Sequence, residues 1–259
     1  MNLVEYTRMY EAEEHHWWYV GLHRLIMAAV QRESHRLGRL LTIFDAGCGT
    51  GRLCQLLAAE GHCVSGCDVS EEALRFCRLR GINTTFPADL NSIELEPESY
   101  DVVTSIDVLY HRGVSDDVDV MRRLQQGLKP GGLLILNLVA HEFLRSTHDI
   151  AVHTRERYTR QMLCERLQSA GFDVEMTTYR VSLLFPFIAA YRLLSRLAVP
   201  RMTDPDNVDS DVSVPNQVIN SLLLKVVELE NLFLAVSSLP FGSSVFVVAR
   251  KSRNNLVMA

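Results

Sequence analysis

The stretch that decides the fold is residues 43–51, IFDAGCGTG. It begins with apolar residues, passes through Asp45 and ends with glycine at every second position. A continuous apolar run followed by a turn is typical of a buried strand in a parallel sheet. Glycine lacks a Cβ, so its backbone can turn sharply and approach a ligand closely. The stretch therefore predicts a first strand that leads into a ligand-contacting loop.

Outward from this stretch, apolar runs alternate with segments of helical periodicity. The predicted strands cover 40–45, 62–68, 83–89, 100–106, 133–139, 172–181 and 243–251, and the predicted helices between them cover 51–60, 70–80, 116–128 and 161–170. Strands that alternate with helices in this way form a parallel sheet with helices on both faces. The predicted fold class is therefore α/β, with a Rossmann-like, doubly wound sheet.

The chain outside this alternating region is helical. We predict an N-terminal helical cap at 1–39, a Rossmann-like cofactor-binding core at 40–182, a helical insertion between strands six and seven at 183–239, and the last strand with a tail at 240–259. Within the insertion, segment 200–215 is rich in Asp and bounded by prolines, which predicts a mobile loop. The flanking helices are strongly apolar, and such surface outside the core requires a partner. Two interpretations stay open: a lid over the site, or a homodimer interface.

Composition narrows the class of protein. The chain has 259 residues and a formal net charge of −5, which provides no global field that attracts nucleic acid. Its first residues lack the pattern of a secretory signal, and the uncharged stretch 231–249 is interrupted by Pro240 and Gly242. The six cysteines form no CxxC pair, which favours reduced thiols over disulfides or zinc. We expect a cytoplasmic protein without a metal site, a nucleic-acid partner or a transmembrane segment.

The glycine spacing and the strand-end acids indicate the kind of ligand. Gly47, Gly49 and Gly51 are spaced more tightly than the G-x-G-x-x-G of nicotinamide sites, and no phosphate-binding G-x-x-x-x-G-K-[ST] follows. The tighter loop suits a ligand without a pyrophosphate. Asp68 ends the second predicted strand and Asp89 ends the third, and the carboxyl ends of such strands meet at one crevice. We expect Asp68 to accept hydrogen bonds from both ribose hydroxyls and Asp89 to accept one from an adenine amino group.

These motifs resemble those of the class I S-adenosylmethionine-dependent methyltransferases. The matching stretches are FDAGCGTG (44–51), VSGCDVS (64–70), PADL (87–90), YDVVTSIDVLYH (100–111) and LKPGGLLIL (128–136). The small-molecule branch that includes ubiquinone-pathway O-methyltransferases is especially similar, because the chain also carries EEHHWWYVGLHRL at 13–25 and RERYT at 155–159. The chain departs from that branch at Tyr110-His111, where Glu-His is usual. The resemblance implies S-adenosyl-L-methionine as cofactor and a seven-stranded sheet with an antiparallel last strand.

The resemblance also implies roles for individual residues. Gly47 and Gly49 would face the methionyl part of the cofactor, and Arg24 would meet its carboxylate. The predicted cofactor-binding residues are Arg24, Asp45, Gly47, Gly49, Asp68, Val69, Asp89, Leu90 and Ile106. The predicted acceptor-binding residues are Trp18, Tyr19, Tyr110 and Tyr158. For Trp18 and Tyr19, an aromatic lid and plain helix packing both stay open.

The chemistry of methyl transfer limits what catalysis requires. Transfer from a sulfonium is an in-line displacement that depends on alignment and on exclusion of water. A base is needed only when the acceptor must lose a proton, and His111 and His148 are the candidates because they lie at the edge of the predicted site. We predict a methyltransferase that acts on a small, apolar metabolite or lipid-like acceptor, with O-methylation favoured over N- or C-methylation. The alternatives are methylation of RNA or protein, a non-catalytic cofactor-binding scaffold and an NAD-dependent reductase.

Overall fold

The computed structural model describes residues 3–198 and 215–252. Its centre is a seven-stranded sheet in the order β3-β2-β1-β4-β5-β7-β6. The strands are β1 (Thr42–Ala46), β2 (Cys63–Asp68), β3 (Thr85–Pro87), β4 (Tyr100–Ile106), β5 (Leu128–Val139), β6 (Phe172–Arg180) and β7 (Ser244–Lys251). Strand β7 is antiparallel to both of its neighbours, β5 and β6, whereas the pairs among β1 to β5 are parallel. The predicted fold class is confirmed.

Helices surround this sheet and begin where the sequence provides caps. They are α1 (Leu3–Ala12), α2 (Trp17–Leu37), α3 (Arg52–Ala59), α4 (Glu71–Leu79), α5 (Asp117–Gly127), α6 (Thr147–Ala151), α7 (Arg160–Ser169), α8 (Phe185–Ala198) and α9 (Gln217–Leu234), with a 3-10 turn at Glu142–Leu144. At the start of α4, the Ser70 side chain accepts a hydrogen bond from the Ala73 amide, and Glu71 and Glu72 occupy the first turn. Acids are favourable there because the helix dipole is positive at its N-terminus.

Two apolar layers, one on each face of the sheet, form the core. In β1, Ile43 belongs to the layer that contains Leu22 and Leu57, whereas Phe44 belongs to the layer that contains Val120. Successive strand residues point to opposite faces, so a strand that is covered on both sides favours apolar residues at successive positions. This arrangement explains the continuous apolar run from which the fold was predicted.

The fifth strand begins earlier than predicted. It covers Leu128–Val139, whereas the sequence pattern indicated a turn at Lys-Pro-Gly-Gly. Tyr100 pairs with Leu128 and Val102 pairs with Leu133, with an irregularity between the two pairs. Pro130 therefore stays outside the paired register, where its missing amide hydrogen costs the sheet no hydrogen bond.

Helix α9 of the insertion packs on α2. A Cβ at Gly21 would lie 2.5 Å from Val227 Cγ1, and the Asn231 side chain donates a hydrogen bond to the Gly21 carbonyl at 2.8 Å. Helix α9 does not bury its whole circumference within the described residues, because Leu222 and Leu232 are exposed. Part of its polar stripe faces α2 instead, so apolar side chains remain on the outside.

Two further predictions concern the insertion and its surroundings. The predicted mobile loop at 200–215 lies outside the described residues except for its last position. Among the helices that are described, none is long and apolar enough to cross a membrane. The division of the chain into four segments stays a prediction.

Candidate active site

A cavity of about 560 Å³ opens at the carboxyl ends of β1, β2 and β4. Strand β1 lies between the other two, so the cavity is at the point where the strand order reverses, which is where open α/β sheets bind ligands. The glycine loop and the strand ends form its floor. Helices α1 and α2 contribute further walls, and α8 contributes Arg192.

The glycine loop is tied to the end of β2. The amides of Gly47 and Cys48 both donate to the Cys67 carbonyl, at 2.9 and 2.8 Å. Gly47 has φ +82°, and a Cβ there would lie 2.4 Å from Val108 Cγ2. Gly47 is therefore required both by the backbone conformation and by the lack of space. Gly49, whose φ is +53°, lines the cavity beside it.

Two backbone amides hold the carboxylate of Asp68 in the cavity wall. Gly49 N and Ser70 N each donate to it at 2.9 Å, to different oxygens. Burial raises the pKa of Asp68. An ionised carboxylate has about four lone-pair sites, so capacity remains for two ligand hydroxyls. The geometry fits the predicted contact with a ribose.

The residues that follow β2 and β3 line one side of the cavity. Val69, Asp89 and Leu90 all lie there. Asp89 Oδ1 accepts hydrogen bonds from the backbone and side-chain nitrogens of Asn91, at 2.9 and 2.7 Å. These two bonds fix the carboxylate at the carboxyl end of β3, next to the apolar side chain of Leu90. The structure thus brings the predicted adenine-binding residues together with Asp68.

Two acids in the cavity wall are buried. Asp45 accepts a hydrogen bond from the Thr104 hydroxyl at 2.7 Å, and burial raises its pKa to about 6. Glu13 accepts from the Thr50 hydroxyl and from Arg80 at 3.4 Å, and burial raises its pKa to about 7. Sequence reasoning chose Asp45 but missed Glu13, because no pattern places the end of the N-terminal helical region against the loop.

Asp107 is a further cavity residue that was not among the predicted site residues. It follows Ile106, which also lines the cavity. The Asn137 side chain donates to both carboxylate oxygens of Asp107 at 3.1 Å, and burial raises the pKa of Asp107 to about 7. Its position at the carboxyl end of β4 was the available signal, since the acids chosen from β2 and β3 lie at the same edge.

Aromatic side chains from the start of α2 form another wall. Trp18 and Tyr19 make an edge-to-face contact with ring centroids 5.1 Å apart, and both line the cavity together with Tyr110 and His23. Burial lowers the pKa of His23 to about 3, so this imidazole is neutral at physiological pH. Trp18 also packs against the core layer behind it. Its ring therefore serves both in the cavity wall and in helix packing.

Two predicted site residues are not brought to the cavity. Arg24 forms an ion pair with Glu228 of α9 and is 56% exposed at its side chain. Adjacent residues of a helix diverge by about 100°, so the inward position of His23 directs Arg24 outward. Tyr158 is fully buried and donates its hydroxyl hydrogen to Asp117. It belongs to the core, which corrects the prediction that it contacts the acceptor.

The segment around Tyr158 is a network of internal ion pairs. Arg157 is buried and donates to both oxygens of Asp149, at 2.8 and 3.0 Å. Arg166 pairs with Glu156 at 2.8 Å and with Asp117. These arginines are occupied within the chain, so they hold the region after β5 against α5 and α7.

Of the two candidate histidine bases, the structure describes the side chain of His111 but not that of His148. Nδ1 of His111 accepts a hydrogen bond from Gly113 N at 2.9 Å, and burial lowers the pKa of His111 to about 4. A neutral imidazole that accepts at Nδ1 carries its proton on Nε2. His111 therefore offers a donor rather than a base at Nε2. His148 lies on α6, and its side chain is outside the described part of the structure, so its role stays a prediction.

Acidic side chains outnumber arginines around the cavity. Within the described residues, its lining includes the carboxylates of Glu5, Glu13, Asp45, Asp68, Asp89 and Asp107, and one arginine, Arg192. Such a surface attracts a cationic ligand and repels a pyrophosphate. S-adenosylmethionine carries a sulfonium and an ammonium beside one carboxylate, so its net positive charge suits this set of side chains better than the negative charge of a pyrophosphate. No group of three or more metal-ligating side chains occurs among the residues that the structure describes.

Comparisons with known proteins agree with this geometry. A family model described as a methyltransferase domain matches residues 44–136. A ubiquinone biosynthesis O-methyltransferase of Pseudomonas paraeruginosa (strain DSM 24068 / PA7) is 32% identical over 153 residues, which cover 54% of this chain and 65% of that protein. The corresponding enzyme of Serratia proteamaculans (strain 568) is 31% identical over 143 residues, which cover 50% of this chain and 58% of that protein. The chain thus spans less than two thirds of the length of these curated relatives.

Solved structures share the fold. An S-adenosylmethionine-dependent methyltransferase from Mesorhizobium loti superposes with a TM-score of 0.52 and 18% identity, covering 81% of this chain and 90% of that one. Phosphoethanolamine N-methyltransferase 2 of Haemonchus contortus, in complex with S-adenosyl-L-methionine, gives a TM-score of 0.52 and 21% identity, covering 82% of this chain and 49% of that one. Residues 44–136 thus match a methyltransferase domain, and the fold is the one that these S-adenosylmethionine-dependent methyltransferases share.

Proposed function

We propose that this protein transfers a methyl group from S-adenosyl-L-methionine to a small, largely apolar acceptor, with a hydroxyl oxygen as the favoured site of methylation. The observation that carries the proposal is one cavity of about 560 Å³ that joins the glycine loop and its acids to an aromatic wall. Cavities of this size hold small ligands. The O-methyltransferase names of the two relatives support the preference for oxygen.

In this proposal the two sides of the cavity have different tasks. Gly47 and Gly49 contact the methionyl part of the cofactor, and Asp68 accepts hydrogen bonds from the ribose. The remaining cofactor contacts come from Asp45, Val69, Asp89, Leu90 and Ile106. Trp18, Tyr19 and Tyr110 contact the acceptor. All of these residues line the cavity.

The bound cofactor supplies an electrophilic methyl carbon on a positively charged sulfur. The protein aligns the acceptor with that carbon and keeps water away from both. Alignment of two reactants contributes about 7–11 kcal/mol to lowering a barrier, and the edge-to-face pair of Trp18 and Tyr19 provides an apolar cover. Arg192 of α8 in the cavity wall supports a lid role for the insertion, and the exposed apolar face of α9 supports a homodimer. A cytoplasmic location is supported by free thiols at all six cysteines.

The test uses S-adenosyl[methyl-³H]methionine and a small-molecule extract of host cells. Incubation with the purified protein should transfer the label to an organic molecule, and NMR of the product should show an O-methyl group. Label in added RNA or protein instead would overturn the proposed acceptor class. In a thermal shift assay, S-adenosylhomocysteine should stabilise the protein and NADH should not. Stabilisation by NADH alone would contradict the cofactor.

A further inference from the structure

We propose that Asp107 is the general base that accepts the proton of the acceptor hydroxyl, and that Asn137 and Arg180 position its carboxylate. This inference rests on the proposed function, because it concerns the same cavity and the same reaction. It assigns the proton transfer to a strand-end carboxylate in place of the histidines that the sequence indicated.

Asp107 lies in the cavity wall. It lines the cavity together with Tyr19 and Tyr110, two residues of the proposed acceptor side. The next residue, Val108, packs against Gly47, which faces the methionyl part in the proposed function. Asp107 therefore lies between the aromatic wall and the loop. Its φ of +59° is unusual for a residue with a side chain, and strained residues of this kind cluster at functional sites.

The side chain of Asn137 supports the Asp107 carboxylate from behind. Asn137 is fully buried on β5, and its Nδ2 donates to both oxygens of Asp107 at 3.1 Å. Its Oδ1 accepts a hydrogen bond from Arg180 Nη1 at 3.4 Å. Asn137 thus orients the carboxylate from behind and is itself oriented by Arg180.

Arg180 is unusual because it is a fully buried guanidinium on β6. Within the described residues, its Nε and Nη2 have no hydrogen-bond partner. Burying such a charge is costly unless a nearby negative charge compensates it. Asp107 and Glu230 are the acids that act on Arg180, but Glu230 already accepts from the Val181 and Ser182 amides. We conclude that the ionised form of Asp107 is the one that this cation favours.

The charged surroundings give Asp107 a pKa suited to a base. Burial raises this pKa to about 7, whereas Asn137 and Arg180 act to lower it. The other titratable groups that face it are Tyr19 from α2 and Tyr110 from the loop after β4, and burial raises the pKa of both phenols. They stay protonated, so Asp107 is the member of this group that titrates near neutrality. Glu13, another cavity acid whose pKa burial raises to about 7, is held at the glycine loop by Thr50 and Arg80. A general base is most effective when its pKa lies near the working pH.

The other cavity acids are less suited to this role. Both oxygens of Asp68 accept backbone amides, and Asp45 accepts from Thr104 and Cys54. These bonds hold the two acids against the loop and the sheet. His111 offers a donor at Nε2, as described above. Among the described residues, the hydrogen bonds to the Asp107 carboxylate come from Asn137 of β5.

In the proposed proton and methyl transfer, each bond that forms is matched by one that breaks. The hydroxyl proton of the acceptor passes to a carboxylate oxygen of Asp107, and the acceptor oxygen forms a bond to the methyl carbon. The carbon–sulfur bond breaks with its electron pair retained on sulfur, which gives the neutral thioether. Asp107 then releases the proton to solvent after the product leaves.

The experiment compares D107N with the unchanged protein, using S-adenosyl[methyl-³H]methionine and the small-molecule extract of host cells. D107N should lower the rate of label transfer by 100-fold or more and change the Kd for S-adenosylhomocysteine less than threefold. The unchanged protein should show a rate that rises with pH through a single ionisation near 7, and this ionisation should be missing from residual activity of D107N. D173N, on an exposed residue of β6, is the matched control and should behave like the unchanged protein.

The pH profile also tests the positioning residues. Arg180 lowers the pKa of Asp107, so R180M should move the ionisation to higher pH, and R180K should restore it toward its original position. If D107N retains at least a third of the transfer rate, or loses S-adenosylhomocysteine binding together with activity, Asp107 is not the base. If the unchanged protein neither binds S-adenosylhomocysteine nor transfers label, the proposed function fails first and this inference fails with it.

Discussion

Nη1 of Arg80 donates a hydrogen bond to the Glu14 carboxylate at 2.7 Å. The same guanidinium donates from Nε to the Thr50 carbonyl in the glycine loop at 3.1 Å, and its side chain is only 2% exposed. A buried cation at the end of α4 thus fastens the segment between α1 and α2 to the loop. Because that segment closes one side of the cavity, we expect its attachment to affect both stability and cofactor binding.

Replacing Arg80 with Met should reveal this coupling. The change leaves the buried Glu13 carboxylate without its cation, so the free energy of unfolding should fall by about 3–5 kcal/mol. The Kd for S-adenosylhomocysteine should rise at least tenfold. Urea denaturation and calorimetric titration measure the two effects. R75M, which removes an exposed ion pair with Glu72, is the control and should leave the free energy of unfolding close to that of the unchanged protein. Unchanged cofactor affinity in folded R80M would show that the segment does not act on the site.

Asp68 should contribute strongly to cofactor binding. In D68N the charge that would accept the ribose hydroxyls is lost, while one oxygen remains to accept an amide hydrogen. We expect S-adenosylhomocysteine to bind more weakly by about 1.5–3 kcal/mol, measured by calorimetry. N91A, which removes the side-chain bond to the exposed carboxylate of Asp89 together with the Asn91 bonds to Gly113 and Ser115, should have a smaller effect. A larger loss in N91A than in D68N would contradict the assignment of the two acids.

Gly47 should not tolerate a side chain. G47A introduces a Cβ at φ +82° and 2.4 Å from Val108 Cγ2, so both strain and a steric clash oppose it. The strain alone costs about 1–2 kcal/mol, and displacement of the loop should weaken binding of S-adenosylhomocysteine. The double variant G47A/V108A removes the clash and retains the strain, so it should recover part of the lost stability in thermal unfolding. If the double variant recovers none of the lost stability, the loss in G47A comes from backbone strain alone.

Cofactor affinity should depend on pH through the buried acids. Burial raises the pKa of Asp45 to about 6 and that of Glu13 to about 7, from ordinary values of 3.8 and 4.5. The folded protein therefore binds protons more tightly than the unfolded chain, so these acids reduce stability as the pH rises from about 4 to about 7. A bound cation offsets this loss because it favours the ionised carboxylates.

The corresponding measurement is calorimetric titration from about pH 5 to about pH 8 at constant ionic strength. The affinity for S-adenosylmethionine should rise over this range more steeply than that for S-adenosylhomocysteine, which lacks the sulfonium charge. Equal pH dependence of the two ligands would mean that the buried acids do not respond to that charge. An E13Q variant should flatten the S-adenosylmethionine curve.

The sequence predicted the central features of the fold because they arise from local chemistry. Residues 43–51 combine a strand that is buried on both faces with a glycine loop, and β4 begins and ends at the predicted residues, Tyr100–Ile106. The acids at the ends of β2 and β3 were also found, since parallel strands place their carboxyl ends together. These features depend on the order of residues along the chain, so the spacing of apolar residues predicts them directly.

The remainder of the site depends on contacts between distant segments. Glu13 meets the loop through Thr50 and Arg80, and the Asp107 carboxylate is held by Asn137, thirty positions away. Arg24 and Tyr158 were misplaced because a sequence pattern does not show which face of α2 meets the cavity, or that Asp117 takes the Tyr158 hydroxyl. Sequence reasoning therefore located the crevice but not the partners that tune its acids.

Strand β7 is the latest of the strands in chain order, yet it lies between β5 and β6. During synthesis, both of those neighbours leave the ribosome before the strand that will hydrogen-bond between them. The nascent domain must therefore keep two sheet edges apart and unpaired until position 251 has emerged, and chaperone binding in that interval would protect it from aggregation.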